Sequence, residues 1–562
     1  MNIKEVIRKY SLQNAVRYNG KANPGNIIGK VLGENPELRK KGKELMQQIQ
    51  EIVKEVNGLG VEKQTTELKK LAPEMLEKKA EKKKELPELK DAKKGKVVMR
   101  FEPSPSGPLH IGHAYVIGLN SEYCRRYNGK MILRIGDTNP ENIYEPAYDL
   151  IPKNAKWVTK GNIAKEFTQS ERLEIYYKYM EKLIDMGKSY ICECDPEEFK
   201  HLSAKGKACP CRNLDIDEQK KRWKKMFDSY KQGEAVARIK TELQHKNPAM
   251  RDWPAFRIND SKHPKVGVKY RVWPLMNMAV SVDDIEMGIT HVIRAKEHHD
   301  NSKRQEYIYN YLGKKPPQAL FVGRINFEDM RVSCSKTRPL IEEGKYSGWD
   351  DIRLPFLDAL KRRGYQPEAF IKYALDVGMS LNDKNVTKRE FFKVINAFNR
   401  EIIDPGSYRF FFVGRPKKVK IENAPEQEIE LDLHPDNKKG GRRFKVNDEF
   451  YIDEDDFKGL REKKLYRLMD CANFTKKEGK LFFDSTEYEK YKDKGTGIIH
   501  WLPAQGNIEV EVMTDEGKKI HGLGESTMKD IKGGDIVQLE RFGFCRLDKK
   551  EKNKLIFWYT HK

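Results

Sequence analysis

The stretch Glu102-Pro103-Ser104-Pro105-Ser106-Gly107-Pro108-Leu109, running into His110-Ile111-Gly112-His113, assembles residue types suited to holding phosphates. Prolines fix an extended approach, Gly107 allows a tight turn, and a helix starting there would offer unpaired N–H groups of partial positive charge to an anion. His110 and His113, one helical turn apart, would share a face and stabilise charge developing in phosphoryl chemistry. Gly112 leaves room for a nucleotide base or ribose against the backbone. A bare H-x-x-H is more often a pair of cap and packing residues, so the weight rests on the whole string lying between a strand and a helix. Gly187-Lys188-Ser189 looks like the end of a phosphate loop, but the glycine required five positions earlier is Lys182. That fragment reads as a helix C-terminus followed by a strand.

A second cluster could hold a metal. Cys192-Glu193-Cys194 and Cys209-Pro210-Cys211 are two C-x-C pairs fourteen residues apart. Four thiolates can surround zinc tetrahedrally, and such a site would be structural because four protein ligands leave no open position. Free thiols are the alternative, since C-x-C is less typical of zinc sites than C-x-x-C. Eight cysteines in 562 residues are too few for a disulfide scaffold.

These groups need elements to carry them. Val97 to Phe101 reads as a buried strand, 111–127 as a helix, Asn128-Gly129 as a turn and Met131 to Ile135 as the next strand. This β-α-β unit predicts a parallel sheet with a ligand crevice at the strands' carboxyl ends. Residues 1–80 carry helical periodicity at Leu38, Leu45, Ile49, Ile52 and Val53, broken by Asn23-Pro24-Gly25 and Asn57-Gly58. The charged run 78–96 is poor core and good linker, so a boundary is expected near residue 95. From about 404 onward, short β-like runs such as 419–421, 449–452, 498–502 and 508–512 predict one or two β-barrels or a sandwich.

Composition narrows the class. Lys plus Arg number 108 against 85 Asp plus Glu, a formal charge of +23. That excess favours a polyanionic partner, because neutralising phosphates releases condensed counterions; a Lys- and Glu-rich thermophilic surface is the alternative. No apolar stretch of about 18 residues could span a bilayer, and Met1 to Tyr10 lacks the core of a signal peptide. A cytoplasmic protein that makes no membrane contact is expected.

With these residues in view, RFEPSPSGPLHIGH (100–113) resembles the HIGH signature of class I aminoacyl-tRNA synthetases, in the glutamyl/glutaminyl branch. The loop Arg331-Val332-Ser333-Cys334-Ser335-Lys336 resembles the KMSKS signature of that class, and IEEGKYSGWDDIRLP (341–355) is also similar to the family. Cys334 stands where a lysine is often found, so Lys336 is the candidate for that charge, with Arg331 at the loop's other end. The segment 282–298 resembles the family's second-half strand and loop. In relatives, arginines matching Arg100 and Arg294 contact the amino acid, and a guanidinium binds both oxygens of a carboxylate.

The resemblance implies ATP and Mg2+ as cofactors, His110, His113 and Lys336 as catalytic residues, and Gly112, Ser333 and Ser335 at ATP. Arg100, Ser104, Arg294 and Asp137 become the substrate-binding candidates. Two positions depart from the family: Gly136 replaces an acidic residue that holds the substrate ammonium, and Met276 replaces a tyrosine. Asp137 is the neighbour that could take over the ammonium, although adjacent strand residues point to opposite faces.

The expected architecture is multidomain α/β. It comprises an N-terminal helical domain and linker (1–95), a Rossmann-type catalytic domain (96–345) with an acceptor-stem-binding insertion at about 191–270, a helical connector (346–403) and a β-barrel anticodon-binding region (404–562). Ser104, where the glutaminyl branch often has an acid, and the segment 19–39 point to the archaeal glutamyl type. The implied activity is ATP-dependent activation of glutamate and its transfer to tRNA(Glu), with tRNA(Gln) left open and a monomer expected. The alternatives are a glutaminyl enzyme or a catalytically weakened tRNA-binding paralogue.

Overall fold

The structure, a computed structural model, describes residues 2–18, 20–35, 37–38, 42–75 and 85–562. Met1–Lys84 and Glu85–Lys562 form two compact units. Residues 78–84 of the expected linker lie outside the described residues.

The first unit holds helices α1 (Ile3–Arg17), α2 (Gly25–Glu34), α3 (Gly42–Asn57) and α4 (Val61–Leu71). Leu45, Ile49, Ile52, Val53 and Val56 recur at helical spacing on α3 and are buried against Ile7, Leu12, Ile27, Val31 and Leu68.

In the second unit, residues 85–95 are not free linker. Leu86 and Leu89 are buried in the catalytic core, and the Tyr123 hydroxyl donates to Pro87 O at 3.0 Å. The two leucines standing among charged neighbours are the physical reason, since they give the run an apolar edge to bury. Three parallel strands follow, β1 (Val98–Phe101), β2 (Lys130–Ile135) and β3 (Lys165–Thr168), joined by α5 (Ile111–Arg126) and α6 (Ala147–Thr159).

After α7 (Leu173–Asp185), the chain makes a four-stranded antiparallel sheet: β4 (Ser189–Cys192), β5 (Val236–Ile239), β6 (Pro254–Ile258) and β7 (Val272–Pro274). It carries α8 (Pro196–Ala204) and α9 (Ile216–Asp228). Gly187 takes φ 63° in the turn between α7 and β4, the helix-end conformation expected there. The parallel half-sheet then resumes with α10 (Met276–Glu286), β8 (His291–Ala295), α11 (His299–Tyr311) and β9 (Gln318–Val322).

Just ahead of β8, the Thr290 N–H donates to Val98 O at 2.9 Å and its hydroxyl accepts the Val98 N–H at 2.9 Å. The two parallel halves therefore adjoin at β1 and β8, giving the order β3-β2-β1-β8-β9. Connections leave in opposite directions at this junction, which is where open α/β sheets place their ligands. Beyond lie β10 (Ile325–Phe327), α12 (Cys334–Glu342), and the helices α13 (Leu357–Arg363), α14 (Pro367–Val377) and α15 (Lys388–Ile403).

The C-terminal region holds two seven-stranded sheets that nearly close into barrels, together with a two-stranded antiparallel ribbon, Gln427–His434 paired with Asn437–Val446. In one, the edge strands are Gly495–Ile499 and Leu502–Pro503, separated only by His500 and Trp501. In the other they are Arg409–Phe410 and Phe412–Val413, separated only by Phe411. Each sheet therefore begins and ends on one continuous stretch of chain, which bends it round on itself. Along 410–413 the side chains alternate: Phe410 and Phe412 pack with Val510, Val512 and Phe557, while Phe411 and Val413 pack with Phe450, Phe474 and Trp501. Among the described residues no helix is long and apolar enough to cross a membrane.

Candidate active site

A cleft of about 800 Å³ opens at the carboxyl ends of β1 and β8, lined by Arg100, Glu102, His110, His113, Arg294 and His298, with Met276 and Phe327 also on its wall. His110 is the N-cap of α5: its Nδ1 accepts the Gly112 N–H at 3.0 Å, while His113 Nδ1 accepts the His110 N–H at 3.3 Å. A backbone N–H can only donate, so both Nδ1 atoms are acceptors and each neutral ring carries its proton on Nε2. The ring centroids lie 3.9 Å apart. Burial holds the His113 imidazolium down to about 4, and burial together with His113 holds His110 well below the usual range. The pair therefore presents neutral N–H donors at pH 7, not cations. Gly112 is required for this: a Cβ there would lie 2.9 Å from His110 Cε1.

The two signature segments touch. Cys334 is buried at the start of α12, and its thiol donates to Pro108 O at 3.6 Å. A Cβ on Gly107 would lie 2.7 Å from Cys334 Sγ and 2.8 Å from its Cβ, so the absence of a side chain at 107 is what lets the segments dock. Burial pushes the thiol up to about 11, leaving Cys334 a neutral packing residue. Ser333 is the N-cap of α12 without a side-chain capping bond, its hydroxyl 3.1 Å from that of Ser335, and it lines the cleft with Val332. The first N–H groups of α12 are left for an anion.

At the cleft floor, four guanidinium groups meet three carboxylates. Arg100 Nε lies 2.9 Å from Asp284 Oδ1 and 3.4 Å from Glu102 Oε2. Arg134, fully buried, bonds Glu102 Oε2 at 2.5 Å and Asp284 Oδ1 at 2.7 Å, and Arg172 bonds Asp283 at 2.7 Å. Arg294 donates to the Ser302 hydroxyl at 2.8 Å and stands 3.9 Å from Asp284. Burial would raise the Asp284 pKa, but Arg100 and Arg134 pull it below the ordinary value. Burial and then Arg100 push the Arg294 pKa down to about 10, the sign of a cation short of negative partners. Four positive charges against three negative leave an excess of one, suited to an anionic ligand.

The Cys192, Cys194, Cys209 and Cys211 sulfurs lie within 4.8 Å of one another, with Cys192–Cys209 at 3.9 Å and Cys194–Cys211 at 3.7 Å. Sulfurs about 2.3 Å from a tetrahedral zinc would be about 3.8 Å apart. Arg222 Nη1 approaches Cys211 Sγ at 3.3 Å.

Profiles of known families match along this chain: "tRNA synthetases class I (E and Q), catalytic domain" over residues 96–405, and two anti-codon binding domains of the same class over 407–492 and 498–548. Relatives named glutamate–tRNA ligase align over their whole lengths and the whole of this chain. They include those of Pyrococcus furiosus at 45% identity, Methanococcus maripaludis strain C5 at 43% and Methanothermobacter marburgensis at 42%. The chain belongs to the class I glutamate–tRNA ligase family.

Within that family framework, the structure brings together Arg100, His110, Gly112, His113, Arg294 and Ser333 around one cleft. Other candidates stand apart from its lining. Ser104 is exposed on the loop, and Ser335 and Lys336 are exposed on the first turn of α12. Asp137 is buried, with its carboxylate accepting from the Ser170 N–H at 2.8 Å, the Ser170 hydroxyl at 2.7 Å and the Tyr148 hydroxyl at 2.7 Å. His263 Nε2 lies 3.3 Å from the same carboxylate. Its neighbour Gly136 is the residue beside the cleft network, so the alternation of side chains turns Asp137 away. Glu102, Arg134 and Asp284 were missed by the sequence reading, although charged residues inside the apolar strings of β2 and α10, and directly after β1, were an available signal.

Proposed function

We propose that the chain activates glutamate with ATP and transfers it to tRNA(Glu) through the β1/β8 cleft. The reading rests on one observation above all: Arg100 and Arg294, carrying an unbalanced positive charge, stand beside two neutral histidines at the start of α5. A glutamate α-carboxylate oxygen attacks the α-phosphorus of ATP, which enters as its Mg2+ complex, and pyrophosphate leaves. The terminal ribose hydroxyl of tRNA then attacks the carbonyl carbon of glutamyl-adenylate, and AMP leaves. Nothing in this sequence needs a covalent enzyme intermediate, so the chain's contribution is positioning and charge stabilisation. The Nε2–H groups of His110 and His113 would donate to phosphate oxygens, and the free N–H groups at the start of α12 would meet the polyphosphate. Lys336, exposed within the first turn of α12, would need loop movement to contribute its charge.

The antiparallel sheet from Ser189 to Pro274 would hold the acceptor stem, and the barrels read the anticodon. The four cysteines fit a structural zinc ion that ties β4 to the segment carrying Cys209 and Cys211; it would supply cross-linking, not chemistry. Aminoacylation of purified tRNA(Glu) and tRNA(Gln) with glutamate and with glutamine tests the whole reading. Glutamate on tRNA(Glu) is the expected product, and preferential loading of glutamine would overturn it.

A further inference from the structure

The floor of the cleft contains a place for a cation that the arginines do not fill. Among the described residues, every hydrogen bond that Glu102 accepts falls on one oxygen, Oε2, from Arg134 Nη2 at 2.5 Å and Nε at 3.1 Å, with Arg100 Nε at 3.4 Å. Its other oxygen, Oε1, faces the space over Gly136. A Cβ built on Gly136 would lie 3.6 Å from Glu102 Oε1 and 3.5 Å from Gln169 Oε1. Gln169 is buried and held in place by its amide, which donates to Asp283 Oδ2 at 3.0 Å, so its oxygen is fixed toward the same point. Two acceptor oxygens, one of them anionic, thus converge on the volume that a side chain at 136 would occupy.

Backbone conformation does not demand glycine there, because the positive-φ positions of the chain do not include Gly136. What glycine provides is the opening. A zwitterionic amino acid whose carboxylates lie on Arg100 and Arg294 must also place an ammonium. Glu297, the other carboxylate on the cleft wall, is committed to Arg324 at 2.9 Å. Asp283 and Asp284 are buried beneath the arginines, and Asp137 is saturated by Ser170 and Tyr148.

We propose that Glu102 Oε1 and Gln169 Oε1 receive the α-ammonium of the amino-acid substrate in the space left by Gly136, making Glu102 a specificity-determining residue. The assignment rests on the glutamate-activating reading above and adds the group that distinguishes an amino acid from a plain dicarboxylate. Ammonium on a carboxylate is a charge-assisted hydrogen bond, whose loss weakens binding by about ten- to a hundredfold.

The test compares glutamate with glutarate, the same dicarboxylate lacking the ammonium, in ATP–pyrophosphate exchange in the presence of tRNA(Glu). In Glu102→Gln the KM for glutamate should rise about ten- to a hundredfold, while the inhibition constant of glutarate should hold or fall, because a negative charge has left the floor. Gly136→Ala, which alters no charge, places a methyl at the ammonium position and should raise the glutamate KM while leaving glutarate binding unchanged. A structural role for Glu102, through alignment of Arg100 and Arg134, would weaken both ligands alike. Equal weakening in Glu102→Gln, or an unchanged glutamate KM in Gly136→Ala, overturns the assignment while wild-type exchange persists. Wild-type protein that exchanges no pyrophosphate with glutamate overturns the functional reading itself.

Discussion

Replacing Gly107 with alanine probes the contact between the two signature segments. The added methyl would sit 2.7 Å from Cys334 Sγ and 2.8 Å from Cys334 Cβ. That is about 1 Å inside the roughly 3.5–4.0 Å at which non-bonded heavy atoms attract each other. The backbone on one side is pinned by β1 and α5, so relief must come from displacing the start of α12 by about 1 Å. Overpacking of this kind costs about 1–3 kcal/mol, and a misplacement of about 1 Å at a reacting centre can cost on the order of a hundredfold in rate. We expect kcat for ATP–pyrophosphate exchange with glutamate, tRNA(Glu) present, to fall about ten- to a hundredfold. The KM for glutamate should stay within about threefold, because Arg100 and Arg294 are carried by strands that the methyl does not touch. Combining Gly107→Ala with Cys334→Gly removes both colliding atoms and should recover part of the loss, the φ of 159° at Gly107 leaving a residual backbone cost in either background. A folded Gly107→Ala protein with wild-type kcat would refute the reasoning, as would a double variant no better than Gly107→Ala.

His113→Ala should lower adenylate formation by about ten- to a thousandfold with tRNA affinity nearly unchanged, since the lost contacts form in the transition state; equal turnover would make the residue a helix cap only. Because His113 is held down to about 4, as is buried His561, their unfolded forms bind protons below about pH 6.5 while the native forms do not. Stability measured by denaturant titration should therefore fall as pH drops from about 6.5 toward 4 and be flat above it, whereas a stability maximum near pH 5 would contradict the assignment. One zinc per chain is expected by metal analysis of purified protein and should be lost in Cys209→Ser, with a lower Tm; metal-free wild-type protein of the same Tm would exclude the site.

Much of the site was legible because it lies in contiguous strings. The segment 100–113 carries its own strand, loop and helix start, so the place of His110 and His113 followed from order along the chain. What local order could not supply was the partner of each group. The capping bonds that make both histidines neutral donors depend on ring orientation, and the docking of Cys334 on Gly107 joins residues more than two hundred positions apart. The same limit explains Asp137. Adjacency to Gly136 suggested a substitute carboxylate, but a strand sends neighbours to opposite faces, and the residue that reaches the space over Gly136 is Glu102, across the β1–β2 pairing. The barrels were visible as short strands with turns, whereas their near-closure through single stretches of chain is a matter of long-range register.

The strand at 409–413 ties two regions that sequence families treat as separate, since 407–492 and 498–548 match two distinct profiles. Phe410 and Phe412 lie within the first match yet complete the core of the other barrel, while Trp501 and Leu502 lie within the second match yet complete the core of the first. Neither barrel is therefore a transferable module. A chimaera that exchanged the last barrel between relatives at the natural-looking seam near 495 would join cores whose aromatic halves come from different ancestors. An insertion of one residue between 409 and 413 would be graver still: with period-two alternation it would offer each barrel the other's phenylalanines, spoiling two cores with a single codon.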